Sequence, residues 1–142
     1  MTTTVRQMLQ GRLVVHEVAP GDTVYQALRL MAEKNIGAVL VRSGERIDGI
    51  LSERDYARKV ILLGKTSRET LVHEIMTTDV ITVDPSWTAD QCMALMTERH
   101  VRHLPVVEQD RLVGLVSIGD VVRAVVDLQQ FTISSLQRYI AT

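Results

Sequence analysis

Two short stretches carry a serine and an aspartate three positions apart: Ser52-Glu-Arg-Asp55 and Ser117-Ile-Gly-Asp120. Each follows an apolar run, GIL at 49–51 and GLV at 114–116, and each opens a helical pattern. Both pairs therefore belong at strand-to-helix junctions. Serine is a good N-cap there, and aspartate in the first turn suits the helix dipole, so either pair taken singly is accounted for as a helix start. The same arrangement can do chemistry. Free N–H groups at a helix start attract phosphate, and a serine hydroxyl adds a hydrogen bond. An aspartate one turn in can accept both hydroxyls of a ribose, through charge-assisted bonds worth about 1.5–3 kcal/mol each. Arg54, Arg58 and Lys59 lie beside the first pair and Arg123 beside the second. They read either as cations for a phosphate or as a solvated helix face paired with Glu53 or Asp55.

The elements that must hold these pairs are written twice. Displaced by 65 residues, VAPGDTVYQALRLMAEKNIGAVLV (18–41) falls on VDPSWTADQCMALMTERHVRHLPV (83–106), and the register runs on through 42–60 and 107–125. Pro20/Pro85, Thr23/Thr88, Gln26/Gln91, Met31/Met96, Gly49/Gly114, Ser52/Ser117, Asp55/Asp120 and Arg58/Arg123 are identical pairs. A shorter echo, VRQML (5–9) and VHEIM (72–76), precedes each copy at a slightly different offset. A repeat of this kind constrains architecture, because like units tend to pack about a pseudo-twofold axis.

Each copy reads as strand, helix, strand, strand, helix, which makes the fold class α/β (α+β). Thr23-Val-Tyr-Gln26 and Thr88-Ala-Asp-Gln91 are capping boxes. GAVLV and HLPVV suit buried strands, and Ser43-Gly44 and Gln109-Asp110 supply the turns to RIDGILS and RLVGLVS. A second helix is predicted from Glu53 to Leu63, ending at Gly64, with its counterpart starting near Ile118. Thr66-Ser-Arg-Glu69 predicts a further helix leading into VHEIM, and TISSLQRYIAT predicts one more short helix. On the repeat register, residues 1–65 form a lead segment and first repeat. Residues 66–142 form a linker helix, second repeat and C-terminal helical tail.

Composition narrows the function. Of 142 residues, 46% are hydrophobic and 23% charged, the ordinary globular balance, and the net charge is −1. No basic excess marks a nucleic-acid or anionic-membrane partner. One Trp, three Tyr and one Phe are too few for a base-stacking platform. Cys92, the single cysteine, lies on an apolar helix stripe and copies Ala27, which makes it a small core residue. His100 and His103 straddle a helix-to-strand change, which spoils the shared face a metal pair needs. No apolar run approaches a membrane span, and the N-terminus lacks a signal peptide's apolar core, so a cytoplasmic location is expected.

Taken together, the VxP-x-x-T opening, the NIGAVLV and HVRHLPVV segments, and the Gly-apolar-apolar-Ser-x-x-Asp junction in both halves resemble the CBS domain. The two copies resemble a tandem CBS pair, or Bateman module, from about Val5 to Val126. The resemblance implies a stand-alone CBS-pair protein with two related nucleotide sites in a cleft between the repeats. Ile36 and Ala38 would line the adenine of one, and Val101 and His103 that of the other. Asp55 and Asp120 would hold ribose, and Ser52 and Ser117 would lie near ribose or phosphate. Arg54, Arg58, Arg102, His103 and Arg123 would meet phosphate. AMP is the first ligand expected, with ADP, ATP, NAD(H) and S-adenosylmethionine as further family ligands and no catalytic cofactor.

The copies differ where it matters for a ligand. Gly119 replaces Arg54, and His100-Val-Arg-His103 replaces Asn35-Ile-Gly-Ala38, so two sites of unequal affinity are expected. The implied role is regulatory, sensing energy or redox state by shifting a homodimer or a contact with a client protein. A ligand-free dimerisation module is the alternative. A nucleotide-hydrolysing enzyme using Asp55 or Asp120 as base is disfavoured, for want of a companion metal cluster or activated nucleophile. The apolar positions of the later helices and the tail around Leu136, Tyr139 and Ile140 would serve the homodimer contact.

Overall fold

Hairpins form where the apolar runs and turn residues put them. In the computed structural model, which describes residues 2–10, 12 and 14–141, β2 (Ala38–Ser43) pairs antiparallel with β3 (Arg46–Ser52). Likewise β4 (His103–Glu108) pairs with β5 (Arg111–Ser117). The first turn uses Gly44 at φ +61°, while Gln109 and Asp110 both take positive φ in the second. The long helices α2 (Val24–Lys34) and α5 (Ala89–Arg99) begin with the predicted boxes: the Thr23 and Thr88 hydroxyls accept from the Gln26 and Gln91 N–H groups. Asn35 and His100 end them in the left-handed region.

The chain divides into two compact units, Val14–Val80 and the pair of segments Met1–Leu13 with Ile81–Thr142. They do not coincide with the 65/66 boundary of the sequence repeat. The short helices implied by VRQML and VHEIM explain this. In the first unit α4 (Val72–Ile75) is anchored by Val72 N–H to Asp22 O and His73 N–H to Pro20 O. In the second, α1 (Val5–Leu9) makes the equivalent bonds, Val5 N–H to Trp87 O and Arg6 N–H to Pro85 O. Each hairpin unit is thus closed by one short helix, and the lead segment closes the second. Trp87 contributes its carbonyl here, as Asp22 does in the first repeat.

Each unit has its own core. Val24, Ala27 and Met31 of α2 meet Val39, Val41, Leu51, Val60, Val72 and Ile75 in the first. Val5, Leu9, Ala89, Cys92 and Met96 meet Leu104, Val106, Val116 and Val121 in the second. Burying each such Val, Leu or Met contributes roughly 1.5–3 kcal/mol. Cys92 is fully buried, as its stripe position predicts, and burial pushes its thiol up to about 11.

Four expectations are corrected. The leading strand β1 (Glu17–Val18) pairs parallel with β2, but its counterpart shrinks to one bridge, Val83 to Val106. Leu40 N–H donates to His16 O in the first repeat; Pro105 stands at the matching position and has no N–H to give. The helix predicted from Glu53 is α only over Glu53–Tyr56 (α3), then widens to a π-helical turn over Ala57–Ile61. No helix forms at Thr66–Glu69. There the Ser67 and Thr70 carbonyls accept the Tyr25 and Val24 N–H groups at the start of α2, and Arg68 stacks over the Tyr25 ring at 4.1 Å. Those tertiary bonds outcompete the local helix, and only the Glu69 N–H to Thr66 O turn remains. Finally, the last helix and the tail are one element, α6 (Ile118–Ala141), because no glycine or proline interrupts the chain after Gly119. Thr142, the end of the predicted tail helix, lies outside the described residues.

Candidate functional site

Both serine–aspartate pairs close as reciprocal caps. Ser52 N–H donates to Asp55 Oδ2 at 2.9 Å, and Asp55 N–H donates to Ser52 Oγ at 3.2 Å. Ser117 and Asp120 repeat this at 2.9 and 3.2 Å. The intervening N–H groups of Glu53 and Ile118 donate to Gly37 O and Arg102 O, at 3.1 and 2.8 Å. Three of the early N–H groups in each junction are therefore satisfied, which corrects the picture of a free helix start awaiting phosphate. The N–H of the second helical position, Arg54 or Gly119, stands between them.

The junctions also gather the strand residues. Ala38 pairs directly with Ser52, and His103 with Ser117. Ala38 is fully buried, whereas His103 is half-buried at the same register. Burial lowers the imidazole, Asp120 opposes this, and Arg102 adds to it; the net shift is downward, so His103 is neutral near pH 7. Ile36 lines a cavity of about 370 Å³ with Leu28, Met31, Ala32, Asn35, Gly37 and Glu53. Val101 is half-buried, Arg102 and Arg58 are exposed, and Arg54 is half-buried. Arg123 comes within 3.6 Å of Asp120 Oδ1.

The carboxylate oxygen not used by each cap finds partners that the repeat register did not single out. Asp55 Oδ1 accepts from Thr77 Oγ1 at 3.2 Å and pairs with Lys59 Nζ at 3.2 Å. Asp120 Oδ1 accepts from Arg12 at 3.1 Å. Thr77 follows α4 and Arg12 follows α1, so each short helix delivers a donor to its unit's aspartate. The VRQML/VHEIM echo was the available signal for this. Asp120 is firmly held as a carboxylate. Burial opposes its charge, but the Ser117 N–H, the Arg12 guanidinium and the Ser117 hydroxyl outweigh burial and hold it below the ordinary carboxylate range.

This gives a pH-dependent prediction. A carboxylate with a depressed folded-state pKa contributes stability above its unfolded pKa and loses it as pH falls through the folded value. The pair is half exposed on the Arg12 side, so at pH 7 Arg12→Ala is expected to cost about 0.2–1 kcal/mol. Urea denaturation will show that difference at pH 7 and its progressive loss as pH falls below about 4, the ordinary aspartate range, and on through the lower folded-state value. A difference constant down to pH 3 would disprove the linkage.

The CBS domain model matches the chain twice, over residues 5–61 and 72–127, with both serine–aspartate junctions inside the matched segments. The chain belongs to the CBS-domain family. A CBS-domain containing protein of Arabidopsis thaliana mitochondria, CBSX3, is 45% identical over 124 residues. That match takes in 84% of the CBS pair described here and 60% of the longer plant chain. The Bacillus subtilis CBS-domain protein YhcV is 34% identical, over 75% of each chain. Among solved structures, a CBS-domain protein from Burkholderia ambifaria superposes with a TM-score of 0.85 at 51% identity, covering 88% of this chain and 95% of its own. The α+β architecture, two small sheets with helices packed on them, is that of tandem CBS structures. Among the described residues, no helix of this CBS pair is long and apolar enough to cross a membrane.

Proposed function

We propose that this CBS pair is a regulatory, non-enzymatic protein that binds an adenine nucleotide at its serine–aspartate junctions, with AMP the first candidate. The observation that carries the reading is the duplicated carboxylate. In each unit the cap fixes one oxygen of the aspartate, and the other meets exchangeable donors, Thr77 and Lys59 or Arg12 and Arg123. Ribose hydroxyls can join or replace such donors without leaving a buried charge unpaired. Arg54, Arg58, Arg102 and Arg123 supply cations for phosphate. Apolar positions at Ile36, Ala38 and Val101, with neutral His103, suit a base. NAD(H), ADP, ATP and S-adenosylmethionine share the adenosine that these groups would read.

Binding would act by population shift, favouring one state of a homodimer or of a contact with a client protein. The relatives' names are those of CBS-domain proteins rather than enzymes, in keeping with a sensing role; the cytoplasmic setting is the expectation from the sequence. The test is a thermal melt with AMP, ATP, NAD and S-adenosylmethionine, paired with chromatography of the recovered ligand. AMP at a hundredfold excess over its Kd is expected to stabilise by about 2.7 kcal/mol and to be recovered intact. Turnover would make the protein a nucleotide hydrolase. The absence of any shift with all four ligands would leave a ligand-free dimerisation module.

A further inference from the structure

Arg12 is the exposed partner of a largely buried carboxylate. Its side chain is 51% exposed and that of Asp120 is 10%. It joins two elements: one guanidinium nitrogen, Nη1, donates to Asp120 Oδ1 at 3.1 Å, and the other, Nη2, donates to Met8 O in the last turn of α1 at 3.1 Å. Its own N–H donates to Leu9 O at 2.7 Å. Arg12 therefore satisfies carbonyls that α1 leaves open at its end and ties that end to the junction. The first unit is built differently. There Thr77, which the 65-residue displacement sets on Arg12, is clamped to β3 by backbone bonds in both directions with Ile50, and its short hydroxyl reaches Asp55. A hydroxyl on a clamped backbone has little range of movement. A guanidinium on a long, half-exposed stem has a wide one.

The charges are redistributed as well. The same displacement sets Gly119 on Arg54, so the cation that the second helix start lacks is supplied by the lead segment. Arg12 at 3.1 Å and Arg123 at 3.6 Å both face Asp120 Oδ1, which leaves excess positive charge beside the oxygen that would take a ribose. Ser117 N–H occupies Oδ2, so a diol competes with Arg12 for Oδ1. An arginine displaced from a carboxylate keeps its charge, and the phosphate on that same ribose is an anion within its reach.

We infer that Arg12 is a switch that reports the phosphate of a bound nucleotide to α1. In the structure it pairs with Asp120; when ribose takes Asp120 Oδ1 it passes to the 5′-phosphate, keeping its bond to Met8 O. A nucleoside without phosphate displaces Arg12 and supplies no new anion, so α1 loses its tie. Linkage gives the converse: whatever holds α1 docked favours the phosphorylated ligand. The inference rests on the nucleotide of the proposed function and adds the regulation of one of its two sites.

Isothermal titration of AMP and of adenosine into Asp55→Asn protein reads the second unit's site alone. Arg12→Gln in that background is expected to narrow the AMP-to-adenosine affinity ratio about tenfold, the scale of one charge-assisted bond, with Arg12→Lys falling in between. A purely structural Arg12 would weaken both ligands equally; that unchanged ratio would overturn the inference. Hydrogen exchange supplies a second readout, at the Val5 and Arg6 amides that dock α1 on Trp87 O and Pro85 O. At matched saturation these amides should exchange faster with adenosine than with AMP, and the difference should vanish in Arg12→Gln. Equal exchange under the two ligands, or a difference that survives Arg12→Gln, would overturn the coupling. If Asp55→Asn protein binds neither ligand, the nucleotide reading of this site falls and the switch with it. If it binds both, at a ratio that Arg12→Gln leaves unchanged, the switch alone falls.

Discussion

AMP is expected to bind Asp120→Ala ten- to hundredfold more weakly than the wild-type protein at the site of that unit. The estimate is the loss of one or two charge-assisted hydrogen bonds from ribose hydroxyls. Asp120 also caps α6 through the Ser117 N–H, so the alanine variant loses a helix cap as well. Asp120→Asn separates the two effects. Its amide oxygen can still accept the Ser117 N–H, while the charge that would grip the diol and attract Arg12 is gone. Isothermal titration of the wild type should resolve two unequal sites, because Arg12 and Arg123 face Asp120 whereas Thr77 and Lys59 face Asp55. Asp120→Asn should remove one of them and Asp55→Asn the other. Full affinity in both variants would end the ribose assignment.

Gly49→Ala is expected to destabilise the protein by about 1–3 kcal/mol, the range for forcing an extra methyl into a filled space. In this chain that corresponds to roughly 4–12 °C in Tm. A Cβ at Gly49 would lie 2.7 Å from Thr77 O and 3.0 Å from Met76 Sδ. The Thr77 carbonyl cannot retreat cheaply, since it accepts the Ile50 N–H at 3.0 Å while Thr77 N–H donates to Ile50 O at 2.9 Å. Gly114, the repeat partner, would meet the Leu9 methyls at 2.7 and 2.8 Å, which can rotate, so Gly114→Ala should lose less. Gly21 has open space around it, and Gly21→Ala should be neutral or stabilise by about 0.4–1 kcal/mol. Thermal melts of the three variants should rank in that order; equal melting of Gly49→Ala and Gly21→Ala would refute the close approach. The glycine also sits behind the site, because the same Thr77 reaches Asp55.

The hairpins, the capping boxes and the duplicated junctions were legible in the sequence because each is a local pattern. Alternation, turn residues and a serine three positions from an aspartate need no distant partner to be recognised. The parts that were not legible depend on groups far apart in the chain. The turn at Thr66–Glu69 follows from carbonyls claimed by α2, and the lost strand at Val83 from a missing N–H at Pro105. Arg12 and Thr77 reach the aspartates only once α1 and α4 have docked. The aspartates could be named from sequence; the donors that hold them could not.

The crossing of α1 to the second unit orders events in time. During synthesis, the segment Val14–Val80 has the chain needed for its own internal contacts before residues 81–142 are made. Val5 and Leu9 are made before that segment and yet still lack Trp87 and Gly114, the residues they lie against. A five-residue helix does not persist alone in water, so Val5–Leu9 stays unstructured until the residues of its own unit's hairpin have been made. Spanning the intervening residues adds little to the equilibrium cost, since closure entropy grows only logarithmically with loop length. The consequence is kinetic: Val5–Leu9 is made well ahead of the residues that cover it, and so is protected late from chaperones, proteases and neighbouring chains.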